Sequence, residues 1–169
     1  MKRKVNVSSL REEITSLADG LKIRFKDDFI ALALFGSIAR GKGDEKSDLD
    51  VFCIIDNLPG KVYERKKLLS RIIAKHVQRR FSVIAKTRSE FLNHFSSLYL
   101  DLGLDAKVIY DRDDFLKRKL SRVREILKET GLKREQQGGN FLWSWEKSPK
   151  TGWEIDWEGY RELAKGRRV

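Results

Sequence analysis

Residues 36 to 51 read Gly36-Ser37-Ile38-Ala39-Arg40-Gly41-Lys42-Gly43-Asp44-Glu45-Lys46-Ser47-Asp48-Leu49-Asp50-Val51, a polar stretch set between two apolar runs. The run before it, Phe29 to Phe35, is short enough to be a buried strand. The run after it, Val51 to Ile55, reads as a second strand closed by the turn Asn57-Leu58-Pro59-Gly60. Between them Gly36-Ser37 opens a tight turn, and Ser37 is expected to cap a short helical turn. Such a cap leaves backbone N–H groups pointing outward with positive dipole character, which suits a phosphate. Gly36 lets the backbone approach that phosphate with no side chain in the way.

The acids at the far end have a definite geometry. Asp48 and Asp50 are two apart at the start of a strand, so both project from one face while Leu49 and Val51 point into the core. Two adjacent carboxylates repel unless a cation lies between them, and Mg²⁺ takes oxygen ligands. A phosphate-holding turn facing paired carboxylates is what metal-assisted nucleotidyl transfer requires.

Gly36-Ser37, ten intervening residues and Asp48-Leu49-Asp50 resemble the signature of the DNA polymerase β nucleotidyltransferase superfamily. Within it, the string Gly36, Ser37, Ala39, Arg40, Gly41 with Ser47, Asp48 and Asp50 is similar to the minimal nucleotidyltransferase proteins. The resemblance covers roughly residues 25 to 130, specific at this motif and general beyond it. It implies that Gly36 and Ser37 hold the β- and γ-phosphates of a nucleoside triphosphate, ATP preferred, with Arg40 bracing the loop or reaching a phosphate. Lys42 and Lys46 are weaker candidates for the same task. It further implies that Asp48 and Asp50 ligate two Mg²⁺ ions together with a third acid. That acid normally stands on the strand after the next helix, which here reads Phe81-Ser82-Val83-Ile84-Ala85-Lys86-Thr87 and carries none. Asp101 and Asp105 are the nearest alternatives, and Glu90 is a weaker one.

Around the motif the periodicity predicts a small α/β fold, a mixed sheet flanked by helices. Ser9-Leu10-Arg11-Glu12 reads as a capping box opening a helix whose inner face is Leu10, Ile14, Leu17, Ala18 and Leu21. A second helix is expected from near Val62 to near Arg79, with Leu69, Ile72, Ile73 and Val77 inward. Arg65, Lys66, Lys67, Lys75 and Arg79 fall on its opposite face, read as solvated with contact to nucleic acid or a partner as the alternative, and His76 lies beside the apolar stripe as a partly buried structural residue. Thr87-Arg88-Ser89-Glu90 is another capping box, opening a short helix through Phe95 on which His94 has no second nitrogen ligand nearby. Ala106 to Tyr110 reads as a fourth strand, after which Asp111 or Asp113 caps a long helix stopped by Gly131.

Past that glycine the composition changes. Gln136-Gln137-Gly138-Gly139-Asn140 reads as a loop, and all four tryptophans then fall in a short aromatic-rich segment. The expected division is a nucleotidyltransferase domain over 1–130 and an aromatic-rich C-terminal extension over 131–169 packed on it. The rings are expected to close the core as a hairpin and helix, with base stacking beside Lys147, Lys150 and Arg161 as the competing reading.

Composition narrows the partners. A formal net charge of +11 favours a polyanion such as nucleic acid, or steers an anionic substrate inward. The single Cys53 excludes an internal disulfide and reads as a small core residue, which fits a reducing cytoplasm. No apolar stretch approaches membrane-spanning length, so a cytoplasmic location is expected. The function expected is Mg²⁺-dependent transfer of AMP from ATP to a hydroxyl, on a protein or a small molecule. The resemblance adds a narrower version, adenylylation of a HEPN-type helical toxin partner. The alternative is a nucleotide- or RNA-binding protein of the same fold with impaired catalysis, and transfer to an RNA end ranks below both.

Overall fold

The computed structural model describes residues 7–138 and 140–163. The chain forms two compact units, one of Met1–Asn93 with Asp105–Arg118 and one of His94–Leu104 with Lys119–Val169.

In the first unit, α1 (Val7–Phe25) leads through a 3₁₀ turn into β1 (Phe29–Phe35). Then come α2 (Gly36–Ala39), β2 (Leu49–Ile55), α3 (Val62–Ile73), β3 (Phe81–Lys86), α4 (Arg88–Asn93) and β4 (Lys107–Asp111). The strands form one sheet in the order β3-β2-β1-β4. β1 runs antiparallel to β2 and β4, and β2 runs parallel to β3, so the sheet is mixed as the sequence implies. Alternation along β2 sorts its two faces. Leu49, Val51, Cys53 and Ile55 join Ile14, Leu17 and Leu21 of α1 and Leu69 and Ile73 of α3 in one core cluster. Asp50, Phe52 and Ile54 therefore face the other way, where the Phe52 ring lies 6.0 Å from that of Phe91 on α4. Cys53 is fully buried, and burial pushes its thiol up to about 12, so it is a core residue.

Several local expectations change. Helix α1 already runs from Val7, so Ser9 lies within it and is not its N-cap. Helix α3 ends at Ile73, and the segment to Arg79 is turn and loop, although Val77 still reaches the core. Arg65 is buried, 7% exposed, where the sequence put it on a solvated face. Its guanidinium donates to Glu90 Oε2 at 2.6 Å and Oε1 at 2.8 Å, and its Nε donates to the Pro59 carbonyl. The expected box at α4 is present: Glu90 N–H donates to Thr87 Oγ1 at 3.2 Å, and Thr87 N–H donates to Glu90 Oε2 at 3.0 Å. His76 is partly buried, with Nδ1 2.8 Å from Ser16 Oγ. Asp111, not Asp113, caps the long helix, accepting from Leu116 N–H at 2.9 Å and Lys117 N–H at 2.8 Å.

The second unit holds most of α5 (Ser97–Asp105) and of α6 (Phe115–Thr130), with the hairpins β5–β6 (Leu132–Gln137, Asn140–Trp145) and β7–β8 (Trp153–Asp156, Gly159–Glu162). Helix α5 was not foreseen. Gly103 on it meets Val123 on α6 so closely that a Cβ would stand 2.5 Å from Val123 Cγ1. Gln136 and Gln137 are strand, paired with Phe141 and Asn140, where a loop was expected. The aromatic-rich segment forms two hairpins, with no helix among its described residues. Trp145 packs edge-on against Trp153 at 4.9 Å, tying one hairpin to the other.

Candidate active site

Register builds the site. Phe35, the last residue of β1, pairs with Asp50 of β2, so the turn at Gly36 begins beside the Asp50 carboxylate. Gly36 has φ +74, and a Cβ there would lie 2.0 Å from Asp50 Oδ2. The glycine is thus required twice over, by its left-handed backbone and by the carboxylate that occupies the missing side chain's space. The sequence assigns Gly36 to a tight turn and to close phosphate approach, and does not anticipate Asp50 against it.

Ser37 lies inside α2, whose N-cap is Phe35 with no side-chain cap bond, so Ser37 is not the cap expected. Backbone bonds close the turn: Arg40 N–H to Gly36 O at 3.2 Å, Gly41 N–H to Ile38 O at 3.0 Å and Lys42 N–H to Ser37 O at 2.9 Å. The loop beyond is pinned by a feature the sequence reading missed. Asp44 and Ser47 bond reciprocally, Asp44 N–H to Ser47 Oγ at 2.9 Å and Ser47 Oγ–H to Asp44 Oδ1 at 3.0 Å. Arg40 donates from Nη1 to Asp105 Oδ2 at 3.1 Å, which anchors the loop to the residue two before β4.

Asp48 immediately precedes β2 and Asp50 is its second residue. Arg80 Nε lies 2.9 Å from Asp48 Oδ1, an ion pair without hydrogen-bond geometry to an oxygen that is itself shielded from water. On the other side of the sheet position, β3 pairs in parallel with β2 so that Asp50 is opposite Ser82. Ser82 Oγ–H donates to Asp50 Oδ1 at 2.6 Å. Asp50 is thus held between Ser82 and Gly36, one oxygen to each.

The proposed third acids are each paired with an arginine. Asp105 pairs with Arg40, Glu90 with Arg65, and within the second unit Asp101 accepts from Arg134 Nη1 at 3.0 Å. Among the described residues no three of His, Cys, Asp and Glu gather to hold a metal ion. Asp48 and Asp50 are hard oxygen donors beside a turn of backbone N–H groups, a donor set whose chemistry suits a divalent cation. They do not by themselves make a two-ion cage. No sequence pattern marks Arg80 or Ser82, because only the β2–β3 register brings them to the acids.

A family model for the nucleotidyltransferase domain matches residues 14–132. A Methanocaldococcus jannaschii protein named "putative protein adenylyltransferase" is 36% identical over 111 residues, covering 63% of this chain and 76% of that one. Among solved structures, a toxin–antitoxin crystal structure with AMP-PNP aligns with a TM-score of 0.51 at 13% identity, over 69% of this chain and 87% of the other. A mutant of the toxin–antitoxin MntA–HpeT aligns at 0.50 and 10% identity over the same shares. At such identities the structures speak for the fold, while the family match spans most of the chain. The chain belongs to the nucleotidyltransferase domain family.

Proposed function

We propose that this chain transfers AMP from ATP to a hydroxyl group on a protein, with Asp48 and Asp50 as its working carboxylates. The observation that carries the reading is Asp50 lodged against Gly36, which makes the phosphate turn and the acid pair one site. Gly36 and Ser37 would receive the β- and γ-phosphates on backbone N–H groups, with Arg40 bracing the turn through Asp105. A divalent cation bound by Asp48 and Asp50 would neutralise the triphosphate and polarise its oxygens. The acceptor oxygen attacks the α-phosphorus, the bond from that phosphorus to the bridging oxygen breaks, and pyrophosphate leaves as the acceptor's proton passes to water. The protein acceptor follows the 36%-identical relative, whose name is that of a protein adenylyltransferase. The resemblance carried by Gly36, Ser37, Asp48 and Asp50 points to a HEPN-type helical partner as that acceptor, and the single buried Cys53 fits a reducing cytoplasm.

The second reading is a nucleotide- or RNA-binding protein with weak turnover. Ser82 opposite Asp50, on a strand that carries no carboxylate, favours it, and the net charge of +11 supplies the attraction to RNA. One assay separates the two. The full chain is given Mg²⁺ and α-labelled ATP beside Asp48→Asn and Asp50→Asn, with the protein itself, total RNA and a lysate as acceptors. Label moved to protein by the wild type and lost in both variants supports transfer. Mg²⁺-dependent ATP binding without label transfer supports the binding protein, and absence of both sinks the site.

A further inference from the structure

We infer that Ser82 occupies the place of a third carboxylate and that the site is built for a single divalent cation, with Ser82 as the positioning residue of Asp50. This rests on the nucleotide-binding reading of Asp48 and Asp50. In a parallel pair, residues in register project from the same face, so Ser82 presents its side chain beside Asp50 and not beneath the sheet. The 2.6 Å bond confirms the direction: Ser82 gives its hydroxyl proton to Oδ1 while Oδ2 abuts Gly36. A carboxylate at position 82 would repel Asp50 unless a cation lay between them; a hydroxyl needs no cation there and fixes the Asp50 rotamer by itself.

No other acid replaces it on the same strand, since β3 reads Phe-Ser-Val-Ile-Ala-Lys. Asp105 and Glu90 sit in part-buried pairs with Arg40 and Arg65, unlike the exposed Asp48–Arg80 pair, and the residues outside the described range carry no acidic side chain. Charge then decides the ion count. Two carboxylates offset one divalent ion, whereas two such ions a few ångströms apart repel strongly unless further anionic ligands screen them. Ser82 offers a neutral oxygen, so beyond Asp48 and Asp50 a second ion would have only the triphosphate's own charge to hold it.

The test counts ions. Mn²⁺ binding to the full chain is followed by electron paramagnetic resonance in the presence of α,β-methylene ATP, which cannot be cleaved. Wild type should bind one Mn²⁺ per chain. Ser82→Asp should bind two and raise the rate of label transfer from α-labelled ATP by about tenfold or more. Ser82→Thr, which keeps the hydroxyl, should match the wild type, while Ser82→Ala should keep one ion with weaker binding. Two ions in the wild type would overturn the inference. So would a single ion in a folded Ser82→Asp that still binds the analogue. Wild type that binds neither Mn²⁺ nor the analogue would instead overturn the reading of the site on which the inference stands.

Discussion

Arg80 Nε lies 2.9 Å from Asp48 Oδ1, so a protein cation already stands at the carboxylate that a metal ion would use. Arg80 is 78% exposed and Asp48 46%, which makes the pair weak in water. A divalent ion bound there, as proposed above, would have to displace that guanidinium. Arg80→Gln should therefore tighten Mn²⁺ binding by about two- to fivefold, the size of one exposed ion pair. Isothermal titration of Mn²⁺ against both proteins checks this. Weaker binding in the variant would mean that the Arg80 bond to the Lys46 carbonyl, 3.1 Å, is needed to hold the loop in place.

Gly36→Ala should do more damage than its size suggests. The methyl would fall 2.0 Å from Asp50 Oδ2, on a backbone at φ +74. Forcing alanine into the left-handed region costs about 1–2 kcal/mol, before Asp50 is displaced. The expected outcome is a melting temperature lower by a few degrees together with loss of ATP binding, measured on the same sample. A variant that melts early yet binds ATP normally would show that Asp50 can leave its seat without consequence.

Acid should loosen the contact between α3 and α4. The Arg65 guanidinium, bonded to both oxygens of Glu90, holds that carboxyl down at about 2 against an ordinary 4.5. A depressed folded-state value means the stabilisation is complete above about 4.5 and is lost as pH falls from there through about 2. Glu90 is 37% exposed, so water screens part of the pair, but Arg65 is nearly buried and would be left without its carboxylate. Glu90→Gln should cost about 1–2 kcal/mol at neutral pH and flatten the acid limb of the stability curve. Urea unfolding at pH 7 and at pH 3 measures both effects, and an unchanged acid limb would remove Glu90 from the account.

The sequence was most legible where one local rule acts alone. β1 emerged with its observed ends because Phe29 to Phe35 is wholly apolar, and the Thr87–Glu90 box formed because both halves of it lie within four residues. Ser9 carries the same box pattern, but Val7 and Ser8 before it are already helical, so the box is bypassed. Arg65 was misplaced because helical spacing gives the face and not what lies over it; Pro59 and Glu90 arrive there only through the fold. Helix α5 was hidden by the small helix breaker Gly103, which is tolerated because it lets Val123 come close. Strand β5 reads Leu-Lys-Arg-Glu-Gln-Gln, a composition with little strand preference, and it is strand because β6 pairs with it. At the site, the acids and the glycine could be read directly. Ser82 and Arg80 could not, since their role depends on a register between strands about thirty residues apart.

The second unit is expected to depend on Trp157. This residue sits in the turn between β7 and β8, with its ring stacked on Tyr99 at 5.6 Å and edge-on to Phe95 at 5.0 Å. Lys119 Nζ lies 5.2 Å over the same ring, and Arg122 Nε donates to the Trp157 carbonyl at 3.2 Å. One side chain therefore joins a hairpin turn to α5 and α6, where Tyr99 is almost fully buried. Trp157→Ala would leave a ring-sized gap at that junction, with an expected loss of about 2–4 kcal/mol. Trp157→Phe, which keeps stacking on Tyr99, should lose distinctly less. Hydrogen exchange should show protection falling first in residues 94–104 and 132–163 of the alanine variant. Equal losses in the alanine and phenylalanine variants would mean that the indole's width, not its stacking, is what the junction needs.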